Sequence, residues 1–208
     1  MIKSLSEAEE RKTNDIIQYA YLELNNIMKT WCQKYEEGYK GGQMRCDRGE
    51  QIESYVKNII RKINEKSDLN IVALTGDKDK KELKIPGTEI KKNHQVDIHI
   101  YKKDQFIAVI ECKAYLDSCY YTRACDDFNL FKKFGYNVKH YIFALENSIK
   151  EETKLFTDYE KDNICDDIFY LLDGKRISSK PIYDRKYRKN INMNKLGYFI
   201  NSLEKLLI

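Results

Sequence analysis

Proline and long apolar runs are both scarce in this chain of 208 residues, which contains only two prolines. No apolar stretch approaches the ~20 residues that a membrane-spanning helix requires, and no secretory leader precedes a cleavage site. Low-complexity tracts and internal repeats are absent as well. We therefore expect a cytoplasmic protein that makes no membrane contact and has no flexible linkers.

The cysteines lack the spacing of a metal finger. Because thiols stay reduced in the cytoplasm, we expect free cysteines rather than a disulfide framework. The six are Cys32, Cys46, Cys112, Cys119, Cys125 and Cys165.

Three charged residues interrupt two apolar segments that have the pattern of neighbouring β-strands. Residues 94–100 alternate, with Val96, Ile98 and Ile100 on one face and Asp97 on the other, as in a half-buried strand. Residues 106–113 are apolar on both faces until Glu111 and Lys113, as in a central strand. Since side chains two apart share a face, Glu111 and Lys113 emerge together, within reach of Asp97 across the hairpin.

Two interpretations of these charges are open. In the first, Glu111 and Lys113 form an ordinary ion pair at a sheet edge, and Asp97 pairs with Lys102 or Lys103. In the second, the three form an active site. Buried charged groups require a partner or a function, and the acid-x-Lys pattern at the end of a buried strand favours the second interpretation.

These residues resemble the PD-(D/E)xK nuclease superfamily, in which an Asp on one strand and an acid-x-Lys on the next form a metal-dependent site. Asp97 matches the first acid, Glu111 the second acid and Lys113 the lysine. Val96 stands where the motif has its proline. The resemblance implies a restriction-endonuclease-like α/β fold, with a central mixed sheet and helices on both faces.

A helix before the strands offers a further carboxylate. Its pattern predicts a start near Asp47 as N-cap, with Glu50 in the capping-box position. Gly49 to Glu53 is similar to a family pattern in which such a helix supplies an extra acid. The alternative is that Glu53 pairs with Lys57 one turn later.

The remaining elements are predicted from apolar periodicity and turn residues. We expect helices near 6–31, 118–134 and 151–159, a C-terminal helix, and strands near 69–74, 141–145 and 168–172. The hydrophobic share of 42% suffices for one core. We expect one domain over 1–208, divided into an N-terminal helical part (about 1–66), a catalytic core (about 67–173) and a basic segment with the C-terminal helix (about 174–208).

The formal net charge of +4 is unevenly distributed, because basic residues concentrate after residue 174. Such a segment is either a solvated loop or a contact surface for a polyanion. The candidates for DNA binding are Lys40, Arg45, Arg48, Arg123, Asp127, Lys175, Arg176, Lys180, Arg185, Lys186, Arg188 and Lys189.

The resemblance also implies a mechanism and a biological setting. Mg²⁺, with Mn²⁺ as a substitute, would be held by Asp97, Glu111, the carbonyl of Cys112 and Glu53, while Lys113 positions the nucleophile. We expect a homodimeric type II restriction endonuclease that cuts double-stranded DNA and has a companion DNA methyltransferase. The alternatives are a junction resolvase or exonuclease of the same superfamily, or a catalytically silent DNA-binding member.

Overall fold

The computed structural model describes residues 7–39, 42–67, 69–75, 83–84, 87–89, 91–92, 96–150 and 164–207. The helices are α1 (Glu7–Glu36), α2 (Gly42–Ser67), α3 (Ser118–Lys133) and α4 (Met193–Leu207). The strands are β1 (Ile71–Thr75), β2 (Leu83–Lys84), β3 (Lys91–Lys92), β4 (Ile98–Lys102), β5 (Gln105–Leu116), β6 (Lys139–Asn147) and β7 (Asp167–Tyr170).

Five strands form one mixed sheet in the order β1-β4-β5-β6-β7, and β2 pairs with β3 separately. β1, β4 and β5 are antiparallel neighbours, whereas β5, β6 and β7 run parallel. The β4–β5 connection is a tight turn in which Lys103 and Asp104 both have positive φ, at 48° and 64°. The parallel β5–β6 pair needs a longer crossover, which contains α3.

Helices cover both faces of the sheet, as predicted. On one face, Phe143 of β6 packs against Tyr55 of α2 and Phe199 of α4, with ring centroids 5.9 and 4.8 Å away. On the other, Phe128 and Phe131 of α3 are fully buried in a second apolar cluster. The expected α/β architecture with a central mixed sheet is confirmed, and it is compatible with a restriction-endonuclease-like core.

The prediction of a half-buried strand over residues 94–100 is wrong for residues 98–100, which form the first part of β4. His99 on β4 is fully buried, and its ring centroid lies 5.1 Å from that of Phe106 and 5.7 Å from that of Phe131. The polar alternation suggested a solvent-facing side, but the rings of Phe106 from β5 and Phe131 from α3 cover that side. β4 is therefore buried on both faces.

The predicted start of the second helix is also wrong. α2 begins at Gly42, so Asp47 is not an N-cap, and Arg45, which precedes the predicted start, lies within the helix. Asp47 instead forms an ion pair with Lys34 of α1, with 2.5 Å between Nζ and Oδ2. Lys40 lies outside the described residues.

The later helices agree with expectation where the structure describes them. The α3 helix begins after Asp117, whose side chain accepts a hydrogen bond from the Tyr120 amide over 2.9 Å, and Gly135 follows its end with φ of 77°. Leu196, Phe199 and three further apolar residues of α4 are buried. The helix expected at 151–159 lies outside the described residues. None of the described helices is long and apolar enough to cross a membrane.

Candidate active site

The candidate site is built on the antiparallel pair β4 and β5. Asp97 immediately precedes β4, and Glu111 and Lys113 lie on β5, where Ile98 pairs with Ile110. The hairpin register therefore places Asp97 beside the segment that carries the other two residues. β5 is the central strand of the sheet, with β4 hydrogen-bonded on one side and β6 on the other.

The carboxylate of Asp97 is held by the backbone of β5. Its Oδ2 atom accepts a hydrogen bond from the Cys112 N–H at 2.7 Å and another from Lys113 Nζ at 3.2 Å. Lys102, which the sequence offered as an alternative partner, lies at the opposite end of β4.

The ammonium group of Lys113 contacts both carboxylates of the site. It forms ion pairs with both Asp97 and Glu111 and also donates to the Cys112 carbonyl at 3.1 Å. Burial disfavours its charge, but the two carboxylates outweigh burial and raise the pKa of Lys113 above its ordinary value. The lysine therefore carries its positive charge at any physiological pH.

Glu111 is the carboxylate of this group whose negative charge is least favoured by its surroundings. Its residue surface is 7% exposed, and burial, followed by repulsion from Asp97, raises the pKa of its carboxyl to about 7. Among the described residues, no hydrogen-bond partner reaches its Oε2 atom. A buried carboxylate oxygen of this kind is a good acceptor for a cation.

The donor set fits a lightly coordinated hard cation. Asp97 and Glu111 supply carboxylate oxygens and Cys112 supplies a carbonyl oxygen, the ligand types that Mg²⁺ prefers while it retains several waters. Within the described ranges, no three His, Cys, Asp or Glu side chains are grouped closely enough to hold a metal by themselves. The site thus fits Mg²⁺ with water in its shell and does not fit an all-protein cage.

These groups open into a cavity of about 610 Å³. The cavity also collects residues predicted from separate parts of the sequence: Arg45, Arg48, Gly49 and Glu53 from α2, and Arg123 and Asp127 from α3. Four acids and three arginines share this space with Lys113. The arrangement places candidate cation ligands next to candidate phosphate contacts.

Glu53 reaches the cavity from α2, opposite the sheet. It lies near enough to the Cys112 thiol to contribute to that group's raised pKa, although burial is the main cause. The thiol itself is packed in the core, so only the backbone of Cys112 takes part in the site. Whether Glu53 supplies a ligand stays a prediction.

The side chains of the predicted basic segment have several different partners. Arg176 lies over the ring of Tyr115 at the cavity, 3.7 Å from the ring centroid. By contrast, Arg185 pairs with Glu36 of α1 at 3.0 Å, and Arg188 donates to Asn25 of α1 at 2.5 Å. The ammonium groups of Lys180 and Lys186 both lie over the ring of Tyr187.

Sequence reasoning missed Glu146, which lies on β6 and is 1% exposed. It forms ion pairs with Arg176 at 3.7 Å and with Lys189 at 2.8 Å. The available signal was an acid directly after the apolar run 141–145, the same pattern that singled out Glu111. The backbone carbonyl of Lys175 accepts a hydrogen bond from the Lys189 ammonium in the same region.

One curated protein provides a comparison. The chain is 27% identical over 125 residues to the type II restriction enzyme DdeI of Desulfomicrobium norvegicum, an alignment that covers 54% of this chain and 52% of that enzyme. The chain thus spans about half the length of this relative. No family model matches the sequence. The similarity indicates a distant, restriction-endonuclease-like relative.

Proposed function

We propose that this protein is a Mg²⁺-dependent endonuclease of the PD-(D/E)xK type that hydrolyses phosphodiester bonds in double-stranded DNA. The observation that carries the proposal is the convergence of Asp97, Glu111 and Lys113 on one cavity that arginines also line. Carboxylates, a fixed ammonium and guanidinium groups together suit an anionic substrate that is attacked by water.

Each residue has a distinct role in this proposal. Mg²⁺ would be held by Asp97, Glu111 and the Cys112 carbonyl, and Glu53 is a further candidate ligand. When bound, the metal would polarise the scissile phosphate and lower the pKa of a coordinated water. Lys113 keeps its ammonium beside both acids, where it orients the attacking water and offsets the negative charge that develops on the phosphate. The Cys112 amide holds Asp97 in place through the reaction.

The distant relative supports a narrower version of the proposal. A type II restriction enzyme is similar to about half of this chain, so we propose the same class of activity, cleavage at a short specific and palindromic sequence. A homodimer would cut both strands, and a companion methyltransferase would protect the host DNA. Arg45, Arg48, Arg123 and Asp127 are candidates for DNA contact because they line the cavity.

Digestion of a fully sequenced genome tests this proposal. With Mg²⁺ we expect discrete fragments whose ends share one sequence, and with EDTA we expect intact DNA. Mn²⁺ should substitute for Mg²⁺. Cleavage of four-way junctions, or progressive loss of ends, would instead identify a structure-selective nuclease or an exonuclease. Intact DNA with both metals, under conditions in which the protein is folded, would indicate a silent member of the fold.

A further inference from the structure

Arg48 enters the cavity from α2 with its guanidinium already oriented. Its Nε donates to the Met44 carbonyl at 2.9 Å, and its guanidinium lies over the ring of Tyr183 at 4.9 Å. Within the described part of the chain, no carboxylate lies within ion-pair distance of Arg48. A half-buried cation with an aromatic support and no acidic partner is a site for an anion.

Arg176, from the segment after β7, packs on the wall of the same cavity through Tyr115. Its guanidinium stacks on Tyr115, a cavity residue, and its backbone N–H donates to the Asn147 carbonyl at 2.7 Å. Stacking directs the N–H groups of the guanidinium away from the ring face, and the Nε atom lies 3.7 Å from Glu146 Oε2. Arg176 is therefore held both by its backbone and by its side chain.

The two arginines approach the same cavity wall, because Arg48 and Tyr115 both line the cavity and Arg176 stacks on Tyr115. Burial is the main reason that the pKa of Arg48 lies below its ordinary value, and the positive charges of Arg176 and Arg45 lower it further. Two like charges on a half-buried wall repel each other, and a bound anion between them would remove that repulsion.

Glu146 sets the position of Arg176. It lies opposite Tyr115 in the β5–β6 register, is nearly inaccessible to solvent, and accepts ion pairs from Arg176 and Lys189. One acid between two cations leaves a net positive charge at this point. The buried carboxylate therefore holds Arg176 against Tyr115 without neutralising the wall.

We propose that Arg48 and Arg176 together bind a backbone phosphate of the nucleic acid at the cavity wall beside Tyr115, separate from Asp97, Glu111 and Lys113, and that Glu146 is the residue that positions Arg176. The proposal rests on the proposed function in one respect, since it assumes that DNA enters this cavity. Two flat guanidinium groups present paired N–H donors that match phosphate oxygens, whatever the base sequence.

Binding measurements test the phosphate site. The affinity of a short fluorescent DNA duplex is measured by anisotropy in EDTA at several KCl concentrations, for Arg48→Gln, Arg176→Gln and the wild-type protein. We expect each substitution to weaken binding about tenfold and to lower the slope of log affinity against log salt by about 0.9, the loss of one phosphate contact. Arg61→Gln is the matched control, because Arg61 is an exposed residue of the same helix that pairs with Glu65.

Glu146→Gln separates positioning from general electrostatics. The substitution removes a negative charge, so a purely electrostatic role would tighten DNA binding. Positioning predicts the opposite result: weaker binding and a higher KM for cleavage, with kcat within about twofold of the wild-type value. Arg176→Lys keeps the positive charge but loses the planar guanidinium. Compared with Arg176→Gln, it should restore most of the salt dependence of DNA binding but little of the affinity.

The outcomes distinguish this site from the nuclease activity. If the wild-type protein binds duplex DNA but does not cut it, the proposed nuclease activity is wrong. Weaker DNA binding by Arg48→Gln would still support the phosphate site in that case. Equal effects of Arg48→Gln and Arg61→Gln, or tighter binding by Glu146→Gln, would overturn the phosphate site even if the enzyme cuts DNA. A folded wild-type protein that binds no duplex would overturn both.

Discussion

Asp97 accepts a hydrogen bond from the backbone N–H of Cys112 over 2.7 Å, the amide that lies between Glu111 and Lys113. A main-chain donor of the central strand therefore holds the first acid against the other two members of the site. Among the described residues, the side-chain hydrogen bond to this carboxylate comes from Lys113 at 3.2 Å. The geometry of the site thus depends on the register between β4 and β5.

Asp97→Ala, Glu111→Ala and Lys113→Ala should each abolish DNA cleavage, since each removes an expected metal ligand or the ammonium group. DNA binding should persist, because the arginines of the cavity wall remain. Plasmid digestion measures the first effect and a gel-shift assay measures the second. Full activity of the Asp97 variant would show that a different residue is the first acid.

Lys113→Ala should also lower the stability of the protein. Without the ammonium, the buried carboxylate of Glu111 lies beside Asp97 with no compensating cation. Removal of one member of a buried ion pair costs on the order of 3 kcal/mol. Urea unfolding at pH 8 in EDTA measures this loss, and Lys62→Ala, at an exposed ion pair of α2, provides the control.

Glu53→Gln tests whether α2 contributes to metal binding. If Glu53 acts directly or through water, the substitution should raise the Mg²⁺ concentration required for half-maximal cleavage by about tenfold, the scale typical of residues around a metal site. Glu50→Gln is the control, because it makes the same chemical change in the same helix at a residue that is exposed to solvent. Identical metal dependence in both variants would exclude Glu53 from the site.

His140 should make stability depend on pH below neutrality. Burial, aided by Lys132, lowers the pKa of this histidine to about 4 from an ordinary value of 6.5, although Asp166 acts in the opposite direction. The unfolded chain binds a proton that the folded chain does not, so the contribution of His140 is complete above pH 6.5 and is lost as the pH falls towards 4. The full effect is about 3 kcal/mol, since one pKa unit corresponds to about 1.4 kcal/mol.

The experiment compares urea unfolding of the wild-type protein and His140→Gln from pH 7 to pH 4. Wild-type stability should fall more steeply, and the difference between the two curves isolates this residue from the other titrating groups. Parallel curves would mean that His140 titrates alike in the folded and unfolded states.

Phe143→Ala should destabilise the fold by about 3–5 kcal/mol, the usual cost of removing a buried phenyl ring. Phe143 is fully buried between α2 and α4, in contact with the rings of Tyr55 and Phe199. Chemical denaturation followed by circular dichroism measures the loss. Leu22→Ala, at a residue that is 49% exposed, should change stability by less than about 0.5 kcal/mol.

Local patterns in the sequence were sufficient to predict the β4–β5 hairpin and the positions of its charged residues. The continuous apolar run before Glu111 predicts a central strand, and β5 is the central strand of the sheet. Spacing by two places Glu111 and Lys113 on one face, where they form an ion pair. These predictions succeed because strand periodicity depends only on neighbouring residues of the chain.

Predictions that depended on a local boundary signal were less successful. Asp47 and Glu50 have the spacing of a capping box, yet α2 begins five residues earlier and Asp47 pairs with Lys34 of another helix. His99 alternates with apolar residues as a solvent-facing side chain would, yet the rings of Phe106 from β5 and Phe131 from α3 pack against it. In both cases a contact with a distant part of the chain determined the environment of the residue.

The sequence by itself determined the strand pair, its charged residues and the apolar faces of the helices, because these follow from periodicities of two and 3.6 residues. Only the tertiary structure decided which cations share a space with the acids. Arg48 and Arg123 come from two separate helices, and the packing of α2 and α3 around β5 brings them to one cavity, whose wall residue Tyr115 also carries Arg176 on its ring. No local pattern encodes that convergence, since it results from long-range packing of the whole core.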